Sequence, residues 1–211
     1  MTTTELTQHY LSTHPSIKDC LKKGIINYSK LARRIGKEIN VSKKTSMEAI
    51  LIACRRFEQK IKQEKTNEDK IISILNASEL EIKNKILVAI IEKHFYPDSL
   101  LDLEKEIKKE KGIFYAIEGT QAITIVSSEK YLAEIKNRFK KDLIKSHTNL
   151  AMIILKSPKD LEGTIGVSAH LYSLFADHGI NIIETMSCWT DTLIVISEED
   201  ISKALKFLRF A

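Results

Sequence analysis

The sequence predicts an α+β protein in which an N-terminal helical module is followed by two ferredoxin-like βαββαβ units. Three observations carry this expectation. Short apolar runs bounded by polar residues, such as Leu150 to Leu155 (LAMIIL), alternate with segments whose apolar residues recur at helical spacing, such as Val167, Leu171, Leu174 and Phe175. The order strand, helix, strand, strand, helix occurs twice, which gives an antiparallel-containing sheet with helices packed on one side. The first third shows helical spacing alone and holds the whole basic excess of the chain.

In chain order, Ile17, Cys20 and Leu21 make one helical face, and Gly24 breaks that segment. Asn27 is placed to cap a second helix carrying Leu31, Ala32, Ile35 and Ile39, with Gly36 inside the pattern. The third helix has the strongest start signal. Thr45-Ser46-Met47-Glu48 reads as a capping box, after which Met47, Leu51, Cys54, Phe57 and Ile61 run down one side with Ile50 beside them. The charge-rich Lys60 to Lys70 marks a domain boundary, and Ile71 to Leu75 is expected to pack on the second part of the chain. The expected domains are 1–66, a basic helical module; 71–145, the first sheet unit; and 146–211, the second.

In the first unit, Ile86 to Ile91 reads as a strand and Ser99 to Lys111 as a helix. Ile113 to Glu118 and Ala122 to Val126 form a hairpin, and Glu129 to Phe139 a helix. In the second, Leu150 to Leu155 feeds a helix that Gly179 ends. Ile180 to Ser187 and Thr192 to Ile196 follow as strands around the turn Cys188-Trp189-Thr190-Asp191, and Ile201, Ala204, Leu205 and Leu208 share a face of the closing helix. Aligning Gly112 with Gly179 superposes the copies. Leu150, Met152 and Ile154 alternate with Ala151, Ile153 and Leu155, so the strand is apolar on both faces. Helices cover one face only; tandem pairing within the chain is expected to cover part of the other, which predicts side-by-side or face-to-face packing of the sheet units and a homodimer.

Charge is unevenly spread. Up to Thr66, fourteen Lys and Arg oppose six Asp and Glu, a net of +8, whereas the whole chain carries +5, leaving −3 for the rest. Such asymmetry suggests a nucleic-acid-facing module joined to an acidic sensor. Lys22, Lys23, Lys30, Arg33, Arg34, Lys43, Lys44, Arg55 and Arg56 are the candidate nucleic-acid contacts. The alternative is that these side chains only solvate helix surfaces while the third helix forms the centre of a bundle. Tyr28-Ser29-Lys30-Leu31-Ala32-Arg33-Arg34-Ile35-Gly36 resembles the helix that precedes the recognition helix in helix-turn-helix proteins. That resemblance implies DNA as the partner, with Ser46, Arg55, Arg56 and Gln59 left to meet bases.

Gly166 lets backbone approach a bound group closely, and free N–H groups at the following helix start attract a carboxylate. The same glycine can equally serve only to permit a turn. Gly166-Val167-Ser168-Ala169, Gly179-Ile180-Asn181-Ile182 and Ser197-Glu198-Glu199-Asp200 resemble the ACT domain, an amino-acid-binding regulatory module, and in particular the ACT domains at the end of aspartokinases. Where that family usually has Pro before the first Gly, this chain has Ile165. The resemblance implies tandem ACT-type units and an amino-acid ligand bound at an interface between them. Thr164, Ile165, Gly166, Val167 and Ser168 would line the loop, Asn181 would bond the ligand's amino or carboxylate group, and Ile182 would add backbone contacts. On this reading Asn181→Ala costs about 1.5 to 3 kcal/mol of affinity, and Gly166→Val blocks the loop while leaving the fold mostly intact. The upstream copy has His94-Phe95-Tyr96-Pro97-Asp98 in place of the glycine loop, which assigns the ligand to the downstream copy.

Nothing in the sequence supports catalysis. No phosphate-binding glycine run, nucleophile elbow or metal-binding His pair is present, and the six histidines are scattered. The expectation is a non-enzymatic protein with no cofactor and no metal. Cys20, Cys54 and Cys188 show no Cys-x-x-Cys spacing and read as buried thiols. No apolar run approaches the roughly 20 residues needed to span a bilayer, so a cytoplasmic protein is expected. The sequence therefore reads as an amino-acid-sensing, ligand-responsive transcriptional regulator. Two alternatives stay open: a regulatory subunit of an amino-acid-biosynthesis enzyme, and a structural dimeric ACT module without ligand.

Overall fold

The computed structural model describes residues 1–39, 47–62, 68–93 and 98–208. Its contacts fall into two units, Met1–Thr66 and Asn67–Ala211. Thr45, Ser46, Lys43 and Lys44, and the segment His94 to Pro97, lie outside the described residues.

The first unit holds α1 (Thr3–Thr13), α2 (Pro15–Lys22), α3 (Tyr28–Glu38) and α4 (Met47–Lys62). The sequence reading missed α1, although its start is written in the chain. The Thr2 hydroxyl accepts from the Glu5 N–H at 3.3 Å while the Thr2 N–H donates to the Glu5 carboxylate at 2.7 Å, a capping box. α2 begins at Pro15, whose missing N–H costs nothing in a first turn. Asn27 caps α3 as expected, accepting from Lys30 N–H at 3.0 Å. α4 is the centre of the unit: its Ile50, Cys54, Phe57 and Ile61 join Tyr10, Leu11, Leu21, Leu31, Ala32 and Ile35 in one buried cluster. Its other side leaves Ile52, Arg55, Arg56 and Gln59 exposed.

The second unit comprises α5 (Glu68–Asn76), β1 (Glu79–Glu92), α6 (Asp98–Lys109), β2 (Phe114–Glu118), β3 (Ala122–Ser128), α7 (Leu132–Arg138), β4 (Leu143–Lys156), α8 (Val167–Asp177), β5 (Glu184–Cys188), β6 (Asp191–Ser197) and α9 (Ile201–Leu208). The strands form a six-stranded antiparallel sheet in the order β2-β3-β1-β4-β6-β5. β1 and β4 are twice as long as expected, because polar segments extend each apolar run. Glu79 to Lys83 pairs with Lys156 to Met152, and Val88 to Ile91 with His147 to Leu143. The domain boundary expected between residues 145 and 146 thus falls in the interior of β4.

One face of the sheet carries two helical layers. Leu87, Ala89, Ile91, Ile123 and Ile125 are buried with Leu100, Leu103 and Ile107 of α6 and Ile135 of α7. Ile153, Leu155, Ile194 and Ile196 are buried with α5 (Ile74, Leu75), α8 (Val167, Leu171, Phe175) and α9 (Ala204, Leu208). The opposite face is buried too. Ile86, Val88, Val126, Leu150, Met152, Ile154, Leu193 and Val195 form a single cluster with no helix residue, each at most 5% exposed. Lys85 (φ 57°) and Asn149 (φ 56°) break the pleat at the midpoints of β1 and β4, where the register shifts. Such bulges bend and twist a sheet, which lets its own two halves bury this face. The second apolar face, expected to be covered in part by tandem pairing within the chain and otherwise by a partner copy, is buried within this chain.

Two further details differ from the sequence reading. The strand expected from Ile180 shortens to Glu184–Cys188, because Ile180 is spent closing α8: its N–H donates to Phe175 O at 2.9 Å while Gly179 N–H donates to Ala176 O. In the upstream copy the same pair of bonds runs from Gly112 to Ile107 and from Lys111 to Lys108. Lys111 (φ 56°), and not Gly112, therefore occupies the left-handed position of Gly179 (φ 61°).

Candidate ligand site

A pocket of about 500 Å³ lies at the N-terminus of α8, lined by Leu161, Glu162, Thr164 to Ala169, Ser187, Trp189 and Thr192. Its roof follows from backbone chemistry. Gly166 is the N-cap at φ 100°, ψ −5°, and the first helical bond is His170 N–H to Gly166 O at 2.9 Å. The N–H groups of Val167, Ser168 and Ala169 therefore have no intrahelical acceptor. α8 has neither a side-chain cap nor an acid in its first turn, whereas α5, α6 and α7 carry Glu68 and Asp69, Asp98 and Glu134 there. The positive end of the α8 dipole thus opens on the pocket, with Glu162 also in its lining.

The floor comes from the sheet. Thr185 faces the helices, since its hydroxyl lies 3.1 Å from that of Tyr172 on α8. Ser187, two residues on, shares that face, and Thr192 sits opposite it in β6. Thr192 is only 6% exposed, and its hydroxyl has no hydrogen-bond partner among the described residues. Thr164 is 7% exposed and donates to Asp160 O at 2.7 Å. Glu162 and the Trp189 indole close the sides, and Lys159 Nζ lies 5.6 Å from the indole centre. Donors on one wall and a carboxylate on another suit a small zwitterion, and the volume is ordinary for a metabolite site.

Of the expected ligand residues, Thr164, Ile165, Gly166, Val167 and Ser168 line this pocket. Asn181 and Ile182 do not. They follow the C-terminus of α8, which is eleven residues and so roughly 16 Å from its start; Asn181 is exposed and Ile182 packs on the core. Sequence reasoning missed Ser187, Trp189 and Thr192. Strand pairing alone brings them under α8, although the alternation of Thr192 with Ile194 and Ile196 already placed its side chain on the core face.

In the helical unit, Lys30, Arg33, Arg34 and Lys37 with Glu38 line a groove of about 550 Å³. Arg55 lies over the Tyr28 ring at 5.9 Å, Arg56 is exposed, and Lys23 pairs with Asp19 at 3.1 Å beside Lys22. The Tyr28 hydroxyl donates to the Glu58 carboxylate, and burial with that bond raises its pKa to about 12. Burial raises the Cys54 thiol to about 11; Cys20 is half-buried and Cys188 exposed, so the expectation of buried thiols holds fully only for Cys54. Among the described residues no group of His, Cys, Asp and Glu is placed to hold a metal, and no helix is long and apolar enough to cross a membrane.

The sequence matches no protein-family model and no curated protein. Solved structures do resemble it. The regulatory subunit of aspartate kinase from Thermus thermophilus aligns at 13% identity over 63% of this chain and 95% of that one, with a TM-score of 0.50. The aspartokinase alpha and beta subunits align at 11% identity over 66% and 96%, with a TM-score of 0.51. Aspartate kinase from Clostridium acetobutylicum aligns at 16% identity and a TM-score of 0.49 over 62% of this chain and 33% of its own, so this chain spans a third of that enzyme. The α+β fold expected from the sequence is thus one shared with the regulatory subunit of aspartate kinase and with the aspartokinase alpha and beta subunits.

Proposed function

We propose that residues 67–211 sense a small carboxylate-bearing metabolite, an amino acid, and that the protein is a non-enzymatic regulator. The observation that carries this reading is the pocket at the uncapped start of α8, where three N–H groups without an intrahelical acceptor share the lining with Thr192 and Glu162. The ligand carboxylate sits on the N–H groups and its ammonium faces Glu162. On the same reading the sheet is a pair of ferredoxin-like, ACT-type units that exchange strands. Strands 86–92, 114–118, 122–128 and 143–147 make one; 150–156, 184–188 and 191–197, completed by 79–83, make the other.

Met1–Thr66 is read as the effector, a helix-turn-helix-like DNA-binding module, which makes the chain a ligand-responsive transcriptional regulator of the cytoplasm. A second reading, a regulatory subunit of an amino-acid-biosynthesis enzyme, is favoured by the alignment over 95% of the Thermus thermophilus regulatory subunit. The expected homodimer now rests on the unpaired edge of β5 and the exposed Ile165, Tyr172 and Trp189 near it. A thermal-shift panel of the common amino acids tests the sensor: at a hundredfold over its dissociation constant a true ligand stabilises the protein by about 2.7 kcal/mol. A uniformly flat panel would leave the pocket without its proposed role.

A further inference from the structure

α3 puts its cations on one stripe. At 3.6 residues per turn, Lys30, Arg33, Arg34 and Lys37 fall within about 100° of arc, on the side away from the buried Leu31, Ala32 and Ile35. All four are exposed and line the groove of about 550 Å³. Arg34 is committed to Glu38 at 2.8 Å, whereas Lys30, Arg33 and Lys37 have no carboxylate partner among the described residues. A row of like charges left unpaired opposes itself unless an anion neutralises it.

We propose that this α3 stripe is a docking surface for the phosphate backbone of duplex nucleic acid, bound without base reading. The inference rests on the reading of Met1–Thr66 as the effector and gives it a surface other than α4. Lys30 and Lys37 are about 10 Å apart along the helix axis, close to three steps of one DNA strand at about 3.4 Å of axis each. The stripe can therefore follow a strand and meet successive phosphates. A lipid surface fits less well, because membrane-binding helices set large apolar side chains beside their cations and α3 exposes none. α4, whose Ile50, Ala53, Cys54, Phe57 and Ile61 are buried, supplies the floor that holds α3 in place.

The test is fluorescence anisotropy of the full chain with a labelled mixed-sequence duplex of about 20 base pairs, titrated across a range of salt. Three to four phosphate contacts give a slope of log affinity on log salt of about −2.7 to −3.6. Lys30→Gln, Arg33→Gln and Lys37→Gln together are expected to weaken binding at least tenfold at low salt and to flatten the slope. Each single substitution should remove about 0.9 from the slope, which serves if the triple variant folds poorly. Lys105→Gln with Lys109→Gln, on α6, should change neither quantity. Absence of duplex binding at low salt, wild-type binding by the variants, an equal loss in the α6 control, or tighter binding to polyglutamate or phosphatidylglycerol vesicles would each overturn the proposal. Amino-acid binding at the α8 pocket is read separately from Trp189, so the two proposals fail independently.

Discussion

Gly166 decides whether the α8 pocket exists. Its φ of 100° is a conformation that side chains resist, and an added Cβ would sit 3.2 Å from Ile71 Cδ1. Gly166→Val was expected from sequence to spare the fold; the backbone instead predicts a loss of about 1–2 kcal/mol of stability, measurable by urea unfolding, together with loss of ligand response. Thr192→Val keeps shape while removing a hydroxyl that lines the pocket, so affinity should fall by about 1 kcal/mol with stability nearly unchanged. Asn181→Ala separates the pocket from the original expectation. Because Asn181 lies at the far end of α8, calorimetry should find its ligand affinity within about twofold of wild type, where an interface site containing Asn181 would lose tenfold or more. At this scale the sequence disclosed what backbone chemistry alone dictates: the glycine, the free N–H groups and the Asn27 cap. It did not disclose Ser187, Trp189 or Thr192, because their approach to α8 depends on strand pairing across the hairpin.

At the scale of elements, helix ends and strand breaks explain most of what was and was not legible. Apolar runs located the second halves of β1 and β4 but not their lengths, because Glu79 to Lys83 and Leu143 to His147 are mostly polar and gain their order by pairing with the apolar half of the other strand. Ion pairs of Glu81 with Lys83 and Lys156 at 3.1 and 2.8 Å lie along that extension. The repeat was visible as an order of elements, yet its alignment slipped by one because glycine was matched to glycine while the structure matches Lys111 to Gly179. That mismatch has a consequence for stability. Lys111→Gly should relieve a left-handed lysine and raise stability by about 0.5–1 kcal/mol, whereas Lys111→Ala should give no comparable gain. In the helical unit, Tyr28 joins α3 to α4 through Glu58, and both Tyr28 and Cys54 hold their protons more tightly folded than unfolded. Groups raised in this way stabilise the fold below their ordinary values and lose that contribution as pH rises through the folded ones. The urea midpoint of the helical unit should therefore decline between pH 9 and pH 12. Tyr28→Phe should make that decline shallower, and an unchanged decline would assign it to other groups.

For the whole molecule, the sequence foresaw a basic helical part and an acidic part built on a sheet, because charge and hydrophobic period are written residue by residue. It could not foresee that bulges at Lys85 and Asn149 let the sheet bury its own second face, since that depends on contacts between strands far apart in the chain. Burial of Leu150, Met152 and Ile154 within the chain accords with the cover expected from tandem pairing, and these residues no longer argue for a partner copy. The proposed function rests on the α8 pocket, and Trp189, the only tryptophan of the chain and a wall of that pocket, reports on it directly. The decisive measurement is a titration of Trp189 fluorescence with each common amino acid on wild type and Gly166→Val. The account predicts a saturable change in emission with at least one amino acid on wild type and none on the variant. Emission that stays constant with every amino acid, or that changes identically in both proteins, would contradict it.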